Sequence, residues 1–324
     1  ITYSFVPDMS YELFVSLRHL KAKRAQKFIS LNTWISVGGV ALGVMALIVV
    51  IAVMSGFGKD LRDKILGTNS HVVVTNISQT GMDDYEAIIR KITQTDGVNA
   101  AAPFILNQVM LTYGSKSTGV VVRGVDPERE AGVSDLEKNL VQGSLKMLED
   151  PATITGKPRR DGIILGQELA HRLGLQRDDA VSMISPASRV TPMGLIPKIK
   201  LFRVVGLFES GMFEYDSNLA FISMHAAQKF FSMKGKVSGV EIQVEDIEKA
   251  DQVAKAIQNT LGFPYYARDW MRMNKNLFSA LHLEKVVMFI ILILIILVAA
   301  FNIVSTLFMV VMEKSKEIAI LKSM

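Results

Sequence analysis

The sequence predicts a membrane protein in which two α-helical spans flank an α+β extracytoplasmic domain. Three observations predict it. No charged residue lies between Lys27 and Lys59, or between Lys285 and Glu313, and both runs are apolar almost throughout. Each exceeds the about 20 apolar residues that a helix needs to cross a bilayer. The intervening 200-odd residues alternate between strand-like and helix-like periods. The chain holds no cysteine, so a domain of that size must fold on its apolar core alone, which its length permits.

The elements follow in order. Residues 10–29 read as an interfacial amphipathic helix. Leu13, Phe14, Leu17 and Leu20 are its apolar side, and Arg18, Lys21 and Lys23 face the anionic cytoplasmic leaflet. Residues 30–57 form the first span. They are too long for a signal-peptide core and lead into "GKDLRDKIL", which continues the helix rather than offering a cleavage site. Gly39 and Gly43 give this span a small-residue packing face. Residues 285–312 form the second span, and 313–324 a charged helix after it. Basic residues Arg18 to Lys27 before the first span and Lys314, Lys316 and Lys322 after the second put both flanks in the cytoplasm. Residues 58–284 are then on the far side.

Within that domain "HVVVTN" reads as a strand, and "DDYEAIIRKITQTDG" as a helix capped by Asp83 or Asp84. "VNAAAPFILNQVMLTYG" and "STGVVVRGVD" read as strands joined by a turn. A matching unit comes late: "VSGVEIQVED", the helix "IEKADQVAKAIQNTLG", and "YYARDW". The two halves make a β-α-β subdomain split in sequence by an inserted, β-rich subdomain, residues 127–225. "RGVDPERE" reads as a turn with solvated charges. The insertion carries "SPASRVTPMGLIPKIK", residues 185–200, with Pro186, Pro192 and Pro197 and the bare apolar Met193, Leu195 and Ile196. Prolines and glycine at this density predict a long stiff loop rather than a central strand.

Chemistry is not signalled. His71, His171, His225 and His282 share no metal-ligand spacing, and there is no nucleophile elbow or P-loop. The net charge of +5 comes from scattered residues with no aromatic-basic stripe, so nucleic acid is not indicated.

The order of elements resembles the permease subunits of the MacB-type ABC transporters. "GVALGVMALIVVIAVMSGFGKDLRDKILG" is similar to the first-span segment of the lipoprotein-releasing (Lol) permeases, with its ending at Met54, Gly56 and Phe57. "AAFNIVSTLFMVVMEKSKEIAILKSM" resembles their second span and coupling helix. "SPASRVTPMGLIPKIK" resembles the chaperone-binding hook of the LolC-type subunit, or of a combined LolF-type permease. The resemblance implies a non-enzymatic permease in the inner membrane of a Gram-negative bacterium, extracting lipoproteins and handing them to a periplasmic chaperone. It implies a LolD-like cytoplasmic ATPase holding ATP and Mg, with no cofactor in this chain. It also implies a LolE-like second permease or a second copy, a LolA-like chaperone and a lipoprotein substrate.

Site residues follow from the same resemblance. The hook is Pro186, Thr191, Pro192, Met193, Gly194, Leu195, Ile196, Pro197, Lys198 and Lys200. Val40, Met45, Val49, Met54 and Phe57 are candidates for lining a lipoprotein cavity. Glu313, Lys316, Glu317, Ile318 and Leu321 are candidates for coupling to the ATPase. The family has four spans, so the chain is expected to be cut before the last two. A MacB-like exporter of peptides or small molecules, and an FtsX-like mechanotransmission protein, are the alternative readings.

Overall fold

A computed structural model describes residues 27–68, 70–77, 81–149, 159–191 and 194–323. The amphipathic segment predicted before Lys27 lies outside them. The chain divides into two compact units, residues 1–58 with 279–324, and residues 59–278.

Helix α1, Lys27–Thr68, runs unbroken through the first apolar run and the charged "GKDLRDKIL" after it. The later helices and strands are β1 (Val72–Asn76), α2 (Tyr85–Thr93), β2 (Val98–Tyr113), β3 (Lys116–Val125), α3 (Pro127–Glu130), β4 (Leu140–Gln142) and β5 (Gly162–Gly166). They continue as α4 (Gln167–Leu173), β6 (Ala180–Thr191), β7 (Gly194–Phe208), α5 (Phe213–Asn218), β8 (Leu219–Ser223) and α6 (Met224–Phe231). The last are β9 (Gly239–Val244), α7 (Ala250–Leu261), β10 (Tyr265–Asp269), α8 (Trp270–Met273) and α9 (Lys275–Ser323). Helix α9 shows no break between the second apolar run and the charged residues that follow it. Trp34–Asp60 and Phe278–Met312 are long and apolar enough to cross a membrane, with mean hydropathies of 2.8 and 3.3. Large apolar side chains such as Ile48, Phe289 and Phe301 are exposed along both helices, and a hydrocarbon surround covers such faces at no cost.

The early and late halves of the second unit come together as the sequence predicts. Strand β1 pairs antiparallel with β9 on one side and β10 on the other. Ile88, Ile89 and Ile92 of α2 and Val253, Ala254 and Ile257 of α7 are the buried faces of these helices, in one core with Val72, Val74, Val240 and Ile242. Asp84 does stand before α2, but in a left-handed conformation with no side-chain cap; its carbonyl accepts from Ala87 N and Ile88 N instead.

The inserted strands do not build a separate sheet. One ten-stranded sheet runs β10-β1-β9-β2-β3-β8-β5-β7-β4, and β6 pairs with both β2 and β7. That last pairing closes β2-β3-β8-β5-β7-β6 into a six-stranded barrel. Side chains on alternate positions fill it: Leu111, Val122, Ile163, Leu165, Val181, Met183, Phe202, Val204 and Ile222 are all fully buried. A barrel of so few strands has room only for its own side chains. On the outside, Ile164, Val205, Phe208 and Phe221 form a second cluster with Leu136, Leu145 and Leu148. Strand β5 is therefore buried on both faces, which is why "GIILG" reads as a continuous apolar run.

Candidate functional site

The segment predicted as a loop is a β-hairpin. Strands β6 and β7 pair in register from Ala180↔Arg203 to Thr191↔Gly194, leaving two residues at the tip. Strand β2 accompanies β6 only from Ser182 to Ile184. From Ser188 onward the arm pairs with itself alone among the described residues. This explains how prolines fit a strand. The register shifts between Ser185 and Ser188, so Pro186 sits in a bulge, and Pro197 lies on an arm with no further neighbour to need its N–H. Pro192 and Met193 fall outside the described residues. Thr191, Gly194, Leu195 and Ile196 have strand backbone, and Pro186 and Pro197 are exposed.

The two lysines behind the tip are engaged by their own chain. Lys200 pairs with Asp161 and lies 4.9 Å from the Phe202 ring centre. Lys198 Nζ donates to Lys229 O at 2.9 Å and to Ser232 Oγ at 3.3 Å, over the Phe230 ring. Alternation along β7 puts Ile199 and Leu201 on the opposite side, and both are exposed.

In the helical unit, Val40 lies in a cleft of about 460 Å³ with Ser36, Val37, Asn302, Ile303 and Thr306. Met45, Val49 and Phe57 are exposed and Met54 is half-buried; none of the four lines that cleft. The steps of five from Val40 to Met45 and from Val49 to Met54 break the three-or-four-residue spacing of a helix face, so one face does not gather all five. Gly43 does meet α9, since a Cβ there would lie 3.8 Å from Ile295 Cγ2, while Gly39 has open space. Among the candidate coupling residues, Ile318 and Leu321 are exposed on α9. Glu313, Lys316 and Glu317 belong to the same helix, but their side chains lie outside the description.

The sheet face opposite α2 and α7 carries residues the sequence reading missed. Arg123 on β3 is buried, pairs with Glu241 on β9 and lies 3.9 Å from Glu130 on α3. The rings of Phe104 and Phe221 are 6.0 and 5.6 Å from its guanidinium. "RGVDPERE" is thus no solvated turn: Asp126 does cap α3 by accepting from Glu128 N, but Glu130 is fully buried and accepts from Ser134 Oγ at 2.6 Å. Burial pushes the Glu241 carboxyl up to about 7; Arg123 pulls it down and Glu130 adds to the rise. Burial acts to lower the pKa of Arg123, yet Glu241 and Glu130 leave it raised, so this group stays charged. The signal was a single charge in each of two apolar strands, "GVVVRGV" and "GVEIQV", and a lone charge in a buried strand needs a partner. His71 is buried too. Its Nδ1 accepts from Val244 N at 3.2 Å, and burial holds its pKa below the usual range, which keeps the imidazole neutral.

Among the described residues no three His, Asp or Glu side chains gather as a metal site. Among the described residues the arrangement offers surfaces and one buried charge cluster.

The MacB-like periplasmic core domain family matches residues 33–260. The lipoprotein-releasing system transmembrane protein LolC of Neisseria meningitidis serogroup B is 37% identical over 316 residues, covering 97% of this chain and 74% of the relative. The chain belongs to the LolC family. LolC of Xylella fastidiosa, strain Temecula1, is 39% identical over 310 residues, covering 96% of this chain and 72% of its own length. The periplasmic region of MacB from Actinobacillus actinomycetemcomitans matches 66% of this chain and 94% of its own at 9% identity, with a TM-score of 0.41. As a LolC-family protein the chain is an inner-membrane ABC-transporter permease, and its α+β domain is periplasmic.

Proposed function

We propose that this permease hands lipoproteins from the membrane to a periplasmic chaperone, which docks on the hairpin 185–200. The observation that carries the reading is the self-paired arm. From Ser188 onward it pairs only with itself among the described residues, and its sequence holds Pro192, Pro197 and the apolar Met193, Leu195 and Ile196. Proline and cross-strand pairing limit the arm's freedom before anything binds, so docking loses less entropy. Met193 suits an apolar groove because its side chain adapts. Lys198 and Lys200 brace the base of the arm against α6 and Asp161; they act by holding it out rather than by reaching a partner.

A LolD-like ATPase supplies the energy through residues 313–324, and a LolE-like subunit or a second copy completes the cavity for the lipoprotein. Pro192→Gly and Met193→Asp are each expected to weaken capture of the chaperone by the full-length protein in detergent at least tenfold, leaving its thermal midpoint in place. Unchanged capture by both variants would overturn the assignment of the hairpin.

A further inference from the structure

Two cavities lie end to end on the open face of the sheet in the periplasmic unit. One, of about 590 Å³, is walled by Met110, Val121, Pro186 and Pro197 at the base of the hairpin. The other, of about 550 Å³, is walled by Val73, Phe104, Leu106 and Met273. They share Val121 and Asn218, so they form one trough along β2 and β3. Gly119 is the register partner of Met110, and a Cβ there would meet nothing within 4 Å. The missing side chain keeps the trough open. Leu106 and Met110 are each 46% exposed within it, and the apolar strip continues to Ile199 and Leu201 on the hairpin. Such a strip on a soluble domain marks a binding surface.

The ends differ. The hairpin end has no charged side chain in its lining, where Gln108, Ser185 and Asn218 stand among apolar residues. The other end, two residues from α1 at Ser70 and two from α9 at Met273, is polar. There Ser70 Oγ and Arg123 Nε are buried with no hydrogen-bond partner among the described residues. Buried donors in a native fold find acceptors, and these two border a cavity that can bring them one.

We infer that the trough holds an acyl chain of a lipid-modified protein N-terminus on its way to the hairpin, an inference that rests on the lipoprotein reading above. Two physical arguments select this occupant. The trough is lined by alternate residues of β2 and β3, Leu106 and Met110 with Gly119 and Val121, so it lies on the face of the sheet, where a peptide laid along it would find no ladder to join. Its own N–H and C=O groups would be buried unpaired against apolar side chains; an acyl chain carries none. At the polar end Arg123 and Arg268 are balanced by Glu241 and Glu214. A balanced site with spare donors suits neutral ester and amide oxygens better than a phosphate.

The test uses the assembled transporter and a synthetic triacylated lipopeptide bearing a diazirine in one acyl chain. Illumination is expected to label β2 and β3 between Phe104 and Val121. Gly119→Phe, which fills open space, should cut that labelling at least fivefold and slow lipoprotein release, with chaperone capture unchanged. Leu106→Ser, at an exposed position, should lower labelling in the same way without shifting the thermal midpoint. A diazirine phospholipid should label the trough less than the lipopeptide does. Labelling confined to α1 and α9, equal labelling by the phospholipid, or normal labelling and release in both variants would overturn the trough alone. Covalent capture of a helical segment of another subunit at these positions would overturn it too, by supplying a different occupant. A wild-type transporter that releases no lipoprotein to the chaperone would instead overturn the underlying reading.

Discussion

Arg123, Glu241 and Glu130 join three elements at one point: β3, β9 and α3. The cluster ties the barrel to the β-α-β half, and it carries one more carboxylate than guanidinium. Burial raises Glu241 to about 7 from the ordinary 4.5. Between those values the folded chain keeps a proton that the unfolded chain has released. The contribution of Glu241 to stability is therefore greatest below about 4.5, declines as pH rises towards 7 and is flat above it. Glu241→Gln cannot titrate, so this slope should vanish while the hydrogen bonding to Arg123 is kept in part. Thermal midpoints of the detergent-solubilised chain and variant across that range measure it; parallel curves would refute the assignment. The sequence held each member of the cluster in plain sight, but spread over 118 residues between Arg123 and Glu241. No local pattern connects them, because the pairing depends on β9 lying beside β2.

At the scale of elements, most strands and helices were legible. The runs read as strands became β1, β2, β3, β9 and β10, and the amphipathic spacing of α2 and α7 put their isoleucines and valines inward. The hairpin was not legible, because prolines usually exclude a central strand and this arm is a strand with no outer neighbours. Close approaches were also invisible. A Cβ on Gly166, at the start of α4, would overlap the carbonyl and Cα of Asp216 on α5, which are backbone atoms and cannot turn aside. Gly166→Ala should therefore destabilise the domain by about 1–3 kcal/mol. Gly119→Ala, with open space around it, should move stability by less than about 0.5 kcal/mol. Thermal or denaturant unfolding of the two variants side by side checks the contrast.

For the whole molecule, α9 is the longest element. Its 49 residues span roughly 70 Å at the α-helical rise, more than twice the about 30 Å hydrocarbon thickness. A single helix begins five positions after the buried Trp270 and runs without a break to the charged "EKSKEIAILKS". Trp270 and Phe278 meet edge to face at 5.0 Å, holding the start of α9 to the periplasmic unit. Glu317→Lys, near the other end, is expected to reduce co-purification of the ATPase at least fivefold while chaperone capture persists. Normal ATPase recovery would remove Glu317 from the coupling surface.

The sequence by itself determined the membrane spans, the far-side domain and the element types, because these follow from short-range properties: hydropathy over about twenty residues and the periods of helix and strand. It also carried the family, since the residues around the spans and the hairpin tip are contiguous. Only the tertiary structure decided that the insertion shares a barrel with β2 and β3, that Arg123 is paired inside, and that a trough runs from Ser70 to the hairpin. Each of these joins residues far apart in the chain. Their proximity is set by which strands lie side by side, and that order follows from packing the whole core at once.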